Sequence, residues 1–138
     1  MARAFTLTAD GGSRGNPGPA GYGAVVSEDG KIVAELYDYI GVATNNVAEY
    51  QGLIAGLIHI HSLDPEATVE VQMDSKLVVE QMSGRWQIKH SNMRELAAQA
   101  RAAHTPSLGQ MLKEVTEVGV TSIWNTASIG APIVMRTA

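Results

Sequence analysis

The chain has no cysteine among its 138 residues. Disulfides and thiolate metal sites are therefore excluded, and the composition fits a reducing compartment. No apolar run approaches the length needed to cross a bilayer. The apolar stretch from Phe5 to Ala9 is too short for a secretory leader, and no cleavage site follows it. A cytoplasmic protein with no membrane partner is expected, and a monomer is the expected state. Basic residues are the minority, 10 Lys and Arg against 14 Asp and Glu, for a net charge of −4. That balance speaks against a non-specific coat on nucleic acid but leaves room for a local basic groove. Internal repeats and low-complexity segments are absent, and no carboxylate side chain follows Glu117.

What is present fits one globular domain over residues 1–138, with 45% hydrophobic and 17% charged residues. The organising stretch is residues 9–23, which carries Asp10, six glycines and two prolines. The run before it, Ala4 to Ala9, alternates apolar and polar residues with the period of a half-buried strand. The glycines and prolines impose a turn, and Tyr22 to Val26 starts a second strand. Glu28-Asp29-Gly30-Lys31 marks a hairpin into a third, Ile32 to Gly41. Thr44-Asn45-Asn46 is an N-cap signal. Tyr50, Leu53, Ile54, Leu57 and Ile58 then recur at helical spacing as far as about Ser62. Gly52 and Gly56 would let this helix lie close to a sheet. Thr68 to Asp74 alternates as a strand, parallel to the first through a right-handed crossover. A short helix over 75–82, a helix over 92–103 and a last strand over 118–124 complete a mixed α/β order unlike a repeating βαβ domain. Residues 125–138 form an atypical tail with a Gly and a Pro and no amphipathic helical pattern.

Three carboxylates stand at related places. Asp10 lies at the end of the first strand, Glu49 in the first turns of the first helix, and Asp74 at the end of the fourth strand. With parallel neighbouring strands, Asp10 and Asp74 emerge at one edge and Glu49 points at both. Acids so close repel one another, and no Lys or Arg is an obvious internal partner. A divalent cation is the natural compensator, and oxygen-only ligands select a hard one, Mg²⁺ or Mn²⁺. A pair of such ions can activate water in phosphodiester cleavage. Strand-end acids are also commonly solvated, so spacing leaves both readings open.

Three motifs in order carry a resemblance: Thr8-Ala9-Asp10-Gly11-Gly12-Ser13-Arg14-Gly15-Asn16-Pro17-Gly18-Pro19-Ala20-Gly21-Tyr22-Gly23, Thr44-Asn45-Asn46-Val47-Ala48-Glu49-Tyr50, and Asp74-Ser75-Lys76-Leu77-Val78. With Ser83 to His90, they make the chain similar to type 1 ribonuclease H, most nearly the actinobacterial variety, over residues 4 to about 124. The resemblance implies a ribonuclease H-like fold with a mixed five-stranded sheet flanked by helices. It implies cleavage of the RNA strand of RNA–DNA hybrids, with Asp10, Glu49 and Asp74 as catalytic metal ligands for Mg²⁺, or Mn²⁺ as substitute.

The resemblance also implies that Asn16 and Asn45 touch the minor groove of the hybrid, where amides can both donate to and accept from 2′-hydroxyls. Local capping is the competing role for both. The turn at Gly11 lets main-chain groups approach the same groove. Trp86 and Lys89, with Arg85, His90 and Arg94, form the one basic-aromatic cluster and read either as a grip on the DNA strand or as a packed Trp among solvated charges. The longer basic insertion of some family members is missing here, which implies weaker hybrid affinity and steep salt dependence.

Where the family ends in a helix with a fourth carboxylate, this chain has none. Its tail reads as a shifted frame of the family's Ala-Asp-x-x-Ala-Asn ending, which the nucleotide sequence decides. Weakened cleavage is the implied consequence. The competing readings are a hybrid-binding module that has lost cleavage and a nuclease for double-stranded RNA.

Overall fold

A computed structural model describes residues 3–104 and 133–137. The elements run β1 (Ala4–Ser13), β2 (Gly18–Glu28), β3 (Lys31–Ala43), α1 (Asn45–Leu63), β4 (Thr68–Met73), α2 (Lys76–Met82), α3 (Ser91–Ala103) and β5 (Ile133–Thr137). They build a five-stranded sheet in the order β3-β2-β1-β4-β5. The first three strands form an antiparallel meander, while β4 and β5 join in parallel. Alternation decides the faces. Phe5, Leu7 and Ala9 of β1 are buried with Val69, Val71 and Met73 of β4, and Leu53, Leu57 and Ile60 of α1 close the core over them.

The turn between β1 and β2 is tighter than the glycine content suggests. Both strands run through the glycines, leaving only residues 14–17, closed by a hydrogen bond from Arg14 N to Pro19 O at 2.9 Å. The β2–β3 turn falls where Asp29-Gly30 predicts it, with φ of 53° and 77°. Thr44 caps α1 by accepting from Val47 N, and Ser75 caps α2 by accepting from Val78 N.

The helix α1 sits unusually close to β1, as Gly52 and Gly56 lead one to expect. A Cβ at Gly56 would lie 2.3 Å from Leu7 Cδ1, and one at Gly52 would lie 3.2 Å from Asp10 O. On the strand side the tightest place is Gly11, where a Cβ would meet the Ala48 carbonyl carbon at 2.4 Å.

The strand expected over 118–124 lies outside the described residues. Among the described residues, the fifth strand lies within the atypical tail, at Ile133–Thr137. Its residues pair along the open edge of β4, Ile133 is 1% exposed against the core, and Arg136 forms an ion pair with Glu70. β-branched residues on a vacant parallel edge explain the placement. Beyond the sheet, His104 is buried at the end of α3. Its Nε2 lies 2.6 Å from Ala67 O, and its Nδ1 lies 3.2 Å from His61 Nδ1. Burial, partly opposed by the Ala67 carbonyl, holds the His104 imidazole below its ordinary pKa. The two histidines, neither of which carried a sequence assignment, thus fasten α3 to α1 and to the loop before β4.

Gly11→Ala should lower the unfolding free energy by about 1–3 kcal/mol, because the clashing atoms are backbone. Gly12→Ala, whose Cβ would meet only Asn45 Oδ1 at 3.9 Å, should stay within about 0.5 kcal/mol of the parent in urea titrations. A lowered histidine pKa means that the stability His104 contributes is present above its unfolded pKa of about 6.5 and is lost as pH falls through that range. The urea midpoint should therefore drop from pH 7.5 to pH 5.5 by more in the parent than in His104→Asn.

Candidate active site

Asp10 projects from β1 on the sheet face away from α1, and its Oδ1 accepts from Gly11 N at 2.9 Å. The parallel register pairs Thr8 with Gln72, and two residues further on it sets Asp10 level with Asp74, just past the end of β4. Both are exposed. Glu49 joins them because Gly11 lets α1 approach, with a Cβ at that position falling 2.6 Å from Glu49 N.

The three acids feel one another. Burial raises the Glu49 pKa above its ordinary value, the nearby Ser75 hydroxyl pulls it back, and the charges of Asp10 and Asp74 push it up further. The ion pairs among the described residues are Arg3–Glu28, Arg85–Glu80 and Arg136–Glu70, and none uses these acids. As they stand, no three acidic or imidazole side chains among the described residues are close enough to form a metal centre. The donor set is nonetheless three carboxylates without a balancing cation, the chemistry that suits a hard divalent ion.

Beside the acids, a chain of amides ties the β1–β2 turn to the start of α1. Asn16 Oδ1 accepts from Asn45 N at 2.9 Å, and Asn45 Oδ1 accepts from Ser13 N at 2.7 Å and Ser13 Oγ at 3.1 Å. Both carbonyl oxygens are thus spent locally: Asn16 caps the first N–H of α1, whereas Asn45 bonds the end of β1 and leaves the N-cap of α1 to Thr44. Neither amide nitrogen has an acceptor among the described residues, which leaves outward-facing donors.

Trp86 and Lys89 follow α2, away from this turn. Trp86 is 43% exposed, its backbone N–H donates to Glu80 O at 3.2 Å, and Lys76 Nζ lies 5.9 Å from its ring centre. Lys89 is exposed, with its carbonyl accepting from Arg94 Nη2. Arg85 is held by Glu80 at 2.5 Å and is not available as a loose cation. No described hydrogen bond links this cluster to the acids.

Sequence reasoning missed a groove of about 680 Å³ beside Asp10, whose walls include Arg14, Tyr37 and Tyr39. The Tyr37-Asp38-Tyr39 alternation was the available signal, since a strand puts residues two apart on one face.

The comparisons with known proteins fall in line with this geometry. A family model described as reverse transcriptase-like matches residues 8–114. Ribonuclease HI of Synechocystis sp. PCC 6803 is 34% identical over 126 residues, covering 91% of this chain and 77% of that one. The chain belongs to the ribonuclease H family. The chain is also 59% identical over 98 residues to the bifunctional protein Rv2228c of Mycobacterium tuberculosis, covering 70% of this chain but only 27% of the relative. It therefore spans about a quarter of that protein. The N-terminal ribonuclease H domain of Rv2228c, solved as a fusion with maltose-binding protein, superposes with a TM-score of 0.71 at 56% identity, covering 74% of each chain. LC11-RNase H1, solved in complex with an RNA/DNA hybrid, gives a TM-score of 0.72 at 31% identity, covering 97% of this chain and 84% of that one. No helix among the described residues is long and apolar enough to cross a membrane.

A raised carboxyl pKa means that ionised Glu49 costs stability, and that the cost disappears as pH falls and the group takes up its proton. Without metal at pH 7, Glu49→Gln should unfold at higher urea than the parent. The gain should be no more than about 1 kcal/mol at so open a site and should vanish near pH 4.

Proposed function

We propose that this chain is a metal-dependent endoribonuclease that hydrolyses the RNA strand of RNA–DNA hybrids, working as a single ribonuclease H-like domain. The observation that carries the reading is the coupling of Asp10, Glu49 and Asp74, three acids on adjoining elements with no cation partner among the described residues. Family membership and the hybrid complex of LC11-RNase H1 support the substrate class.

Asp10, Glu49 and Asp74 would hold Mg²⁺, or Mn²⁺ in its place. Bound there in pairs, such ions supply an activated water and stabilise the leaving oxygen. Gly11 gives the substrate close access to main chain beside Asp10. Asn16 and Asn45 turn amide donors toward the minor groove, where the 2′-oxygens and base edges of the RNA strand offer acceptors. Because their carbonyl oxygens are engaged internally, these amides read acceptors only. Trp86 and Lys89 grip the DNA strand from the far side, through sugar stacking and phosphate charge.

A weaker nuclease, or a hybrid-binding module without cleavage, is the second reading. It is favoured by the absence of any Asp or Glu side chain after Glu117. Three carboxylates hold the ions less firmly than four, so Mn²⁺, with its tolerance of looser geometry, should support faster cleavage than Mg²⁺.

The test is cleavage of an end-labelled RNA–DNA hybrid with Mg²⁺ and with Mn²⁺. Cutting by the parent, reduced about 10³-fold or more in Asp10→Asn, is the expected result. A hybrid that is bound but left intact in both metals would transfer the assignment to the binding module. Double-stranded RNA cut as fast as the hybrid would overturn the substrate class.

A further inference from the structure

The groove beside Asp10 has a construction that the carboxylate chemistry does not explain. Strand pairing sets Asp10 opposite Gly23 and Gly23 opposite Tyr37, and sets Gly12 opposite Gly21 and Gly21 opposite Tyr39. Laterally paired residues share a face, so these form two rows across the sheet on the side away from α1. Each row runs from β1 over bare glycine to a tyrosine on β3, about 10 Å away across two strand spacings. Tyr37 is 84% exposed and Tyr39 67%, so neither ring serves the core.

The glycine floor is the second observation. A Cβ at Gly23 would approach nothing nearer than Leu36 O at 4.0 Å, and one at Gly12 nothing nearer than Asn45 Oδ1 at 3.9 Å. Neither glycine has a positive φ. The fold would therefore accept side chains at both positions, and their absence leaves a flat trough beneath the two rings. Gly21 differs, since a Cβ there would lie 3.0 Å from Asp38 O. A trough with a side-chain-free floor and aromatic walls suits a flat, uncharged ring.

We propose that the trough over Gly12, Gly21 and Gly23, walled by Tyr37 and Tyr39, binds the bases of unpaired nucleotides that continue a strand beyond the duplex held at the carboxylates. The inference rests on the hybrid-nuclease reading for its partner. Continuity favours it, because Asp10 belongs to both the groove and the acid cluster. Charge selects bases over phosphates. Asp10 lines the groove and repels the backbone, whereas Arg14, at its turn end and in no ion pair among the described residues, can take one phosphate. Base stacking on aromatic rings is tolerant of sequence, so the trough would sense whether a strand is unpaired and not what it spells.

Fluorescence anisotropy in metal-free buffer tests the proposal without cleavage. The probes are a blunt RNA–DNA hybrid, the same hybrid with a six-nucleotide single-stranded RNA or DNA extension, and the free hexanucleotides. The parent should bind an extended hybrid about tenfold tighter than the blunt one. Tyr37→Ser/Tyr39→Ser should abolish that gain while leaving blunt-hybrid affinity within about twofold. Gly23→Val, which places a side chain on the floor where a Cβ meets nothing nearer than 4.0 Å, should act likewise, with circular dichroism confirming that both variants fold. A gain seen with only one kind of extension identifies RNA or DNA as the strand bound. Equal affinity for blunt and extended hybrids, or a gain that survives both variants, overturns the proposal. So does light scattering that finds a dimer in the parent and a monomer in the double tyrosine variant, since the trough would then be a contact between copies. Should the blunt hybrid be neither bound nor cut, the hybrid-nuclease reading fails by itself. Tyrosine-dependent binding of the free hexanucleotides would still sustain the trough.

Discussion

The close approach of α1 to β1 governs the molecule. Gly11 on the strand and Gly52 and Gly56 on the helix remove the side chains that would hold the two apart. The nearness buries Leu53, Leu57 and Ile60 against Leu7 and Ala9. It also brings a helix carboxylate beside a strand carboxylate, although Asp10 and α1 lie on opposite sides of the sheet. A bulkier residue at Gly11 would separate the acids and thin the core together, so stability and site geometry rest on one contact.

Three acids without a balancing cation among the described residues represent stored repulsion. Glu49 is the one withdrawn from water, and burial first and the charges of Asp10 and Asp74 after it raise its pKa, while Asp10 and Asp74 remain open to solvent. A protein that placed such a group for stability alone would have paired it, as Glu28 is paired with Arg3 and Glu80 with Arg85. The same principle distinguishes the asparagines. The Asn16 oxygen satisfies the backbone at the start of α1 and the Asn45 oxygen satisfies Ser13 at the end of β1, and what remains for a ligand is defined by that internal demand.

Much of this was legible from the residues alone. The alternation in Ala4–Ala9 and Thr68–Asp74, the Asp29-Gly30 turn and the Thr44 and Ser75 caps are local signals, each set by a few neighbours. The parallel placement of β4 followed from crossover handedness, and with it the level standing of Asp10 and Asp74. The failures concern contacts that no local pattern encodes. Ile133–Thr137 became a strand because β4 offered a vacant edge, not because its own sequence demands one. The histidine pair unites positions 61 and 104, and periodicity within α1 concerns only the face of His61. Tyr37 and Tyr39 were visible as an alternating run. Their meaning depended on the glycines of two other strands lying in register with them.

The sheet joins two kinds of pairing. On one side, β1, β2 and β3 follow one another through short turns, so each strand meets a partner made only moments before. On the other side, Ala4 must find Thr68 and Val69 must find Ile133, across long intervening stretches of chain. Distant closures are the slow steps of folding. The meander and its glycine-floored trough can consolidate early, whereas Asp10 acquires Asp74 as a neighbour only after β4 docks. Assembly of the acidic cluster is thereby tied to the late, parallel half of the sheet, and a chain arrested before that stage would carry a finished trough and an unfinished site.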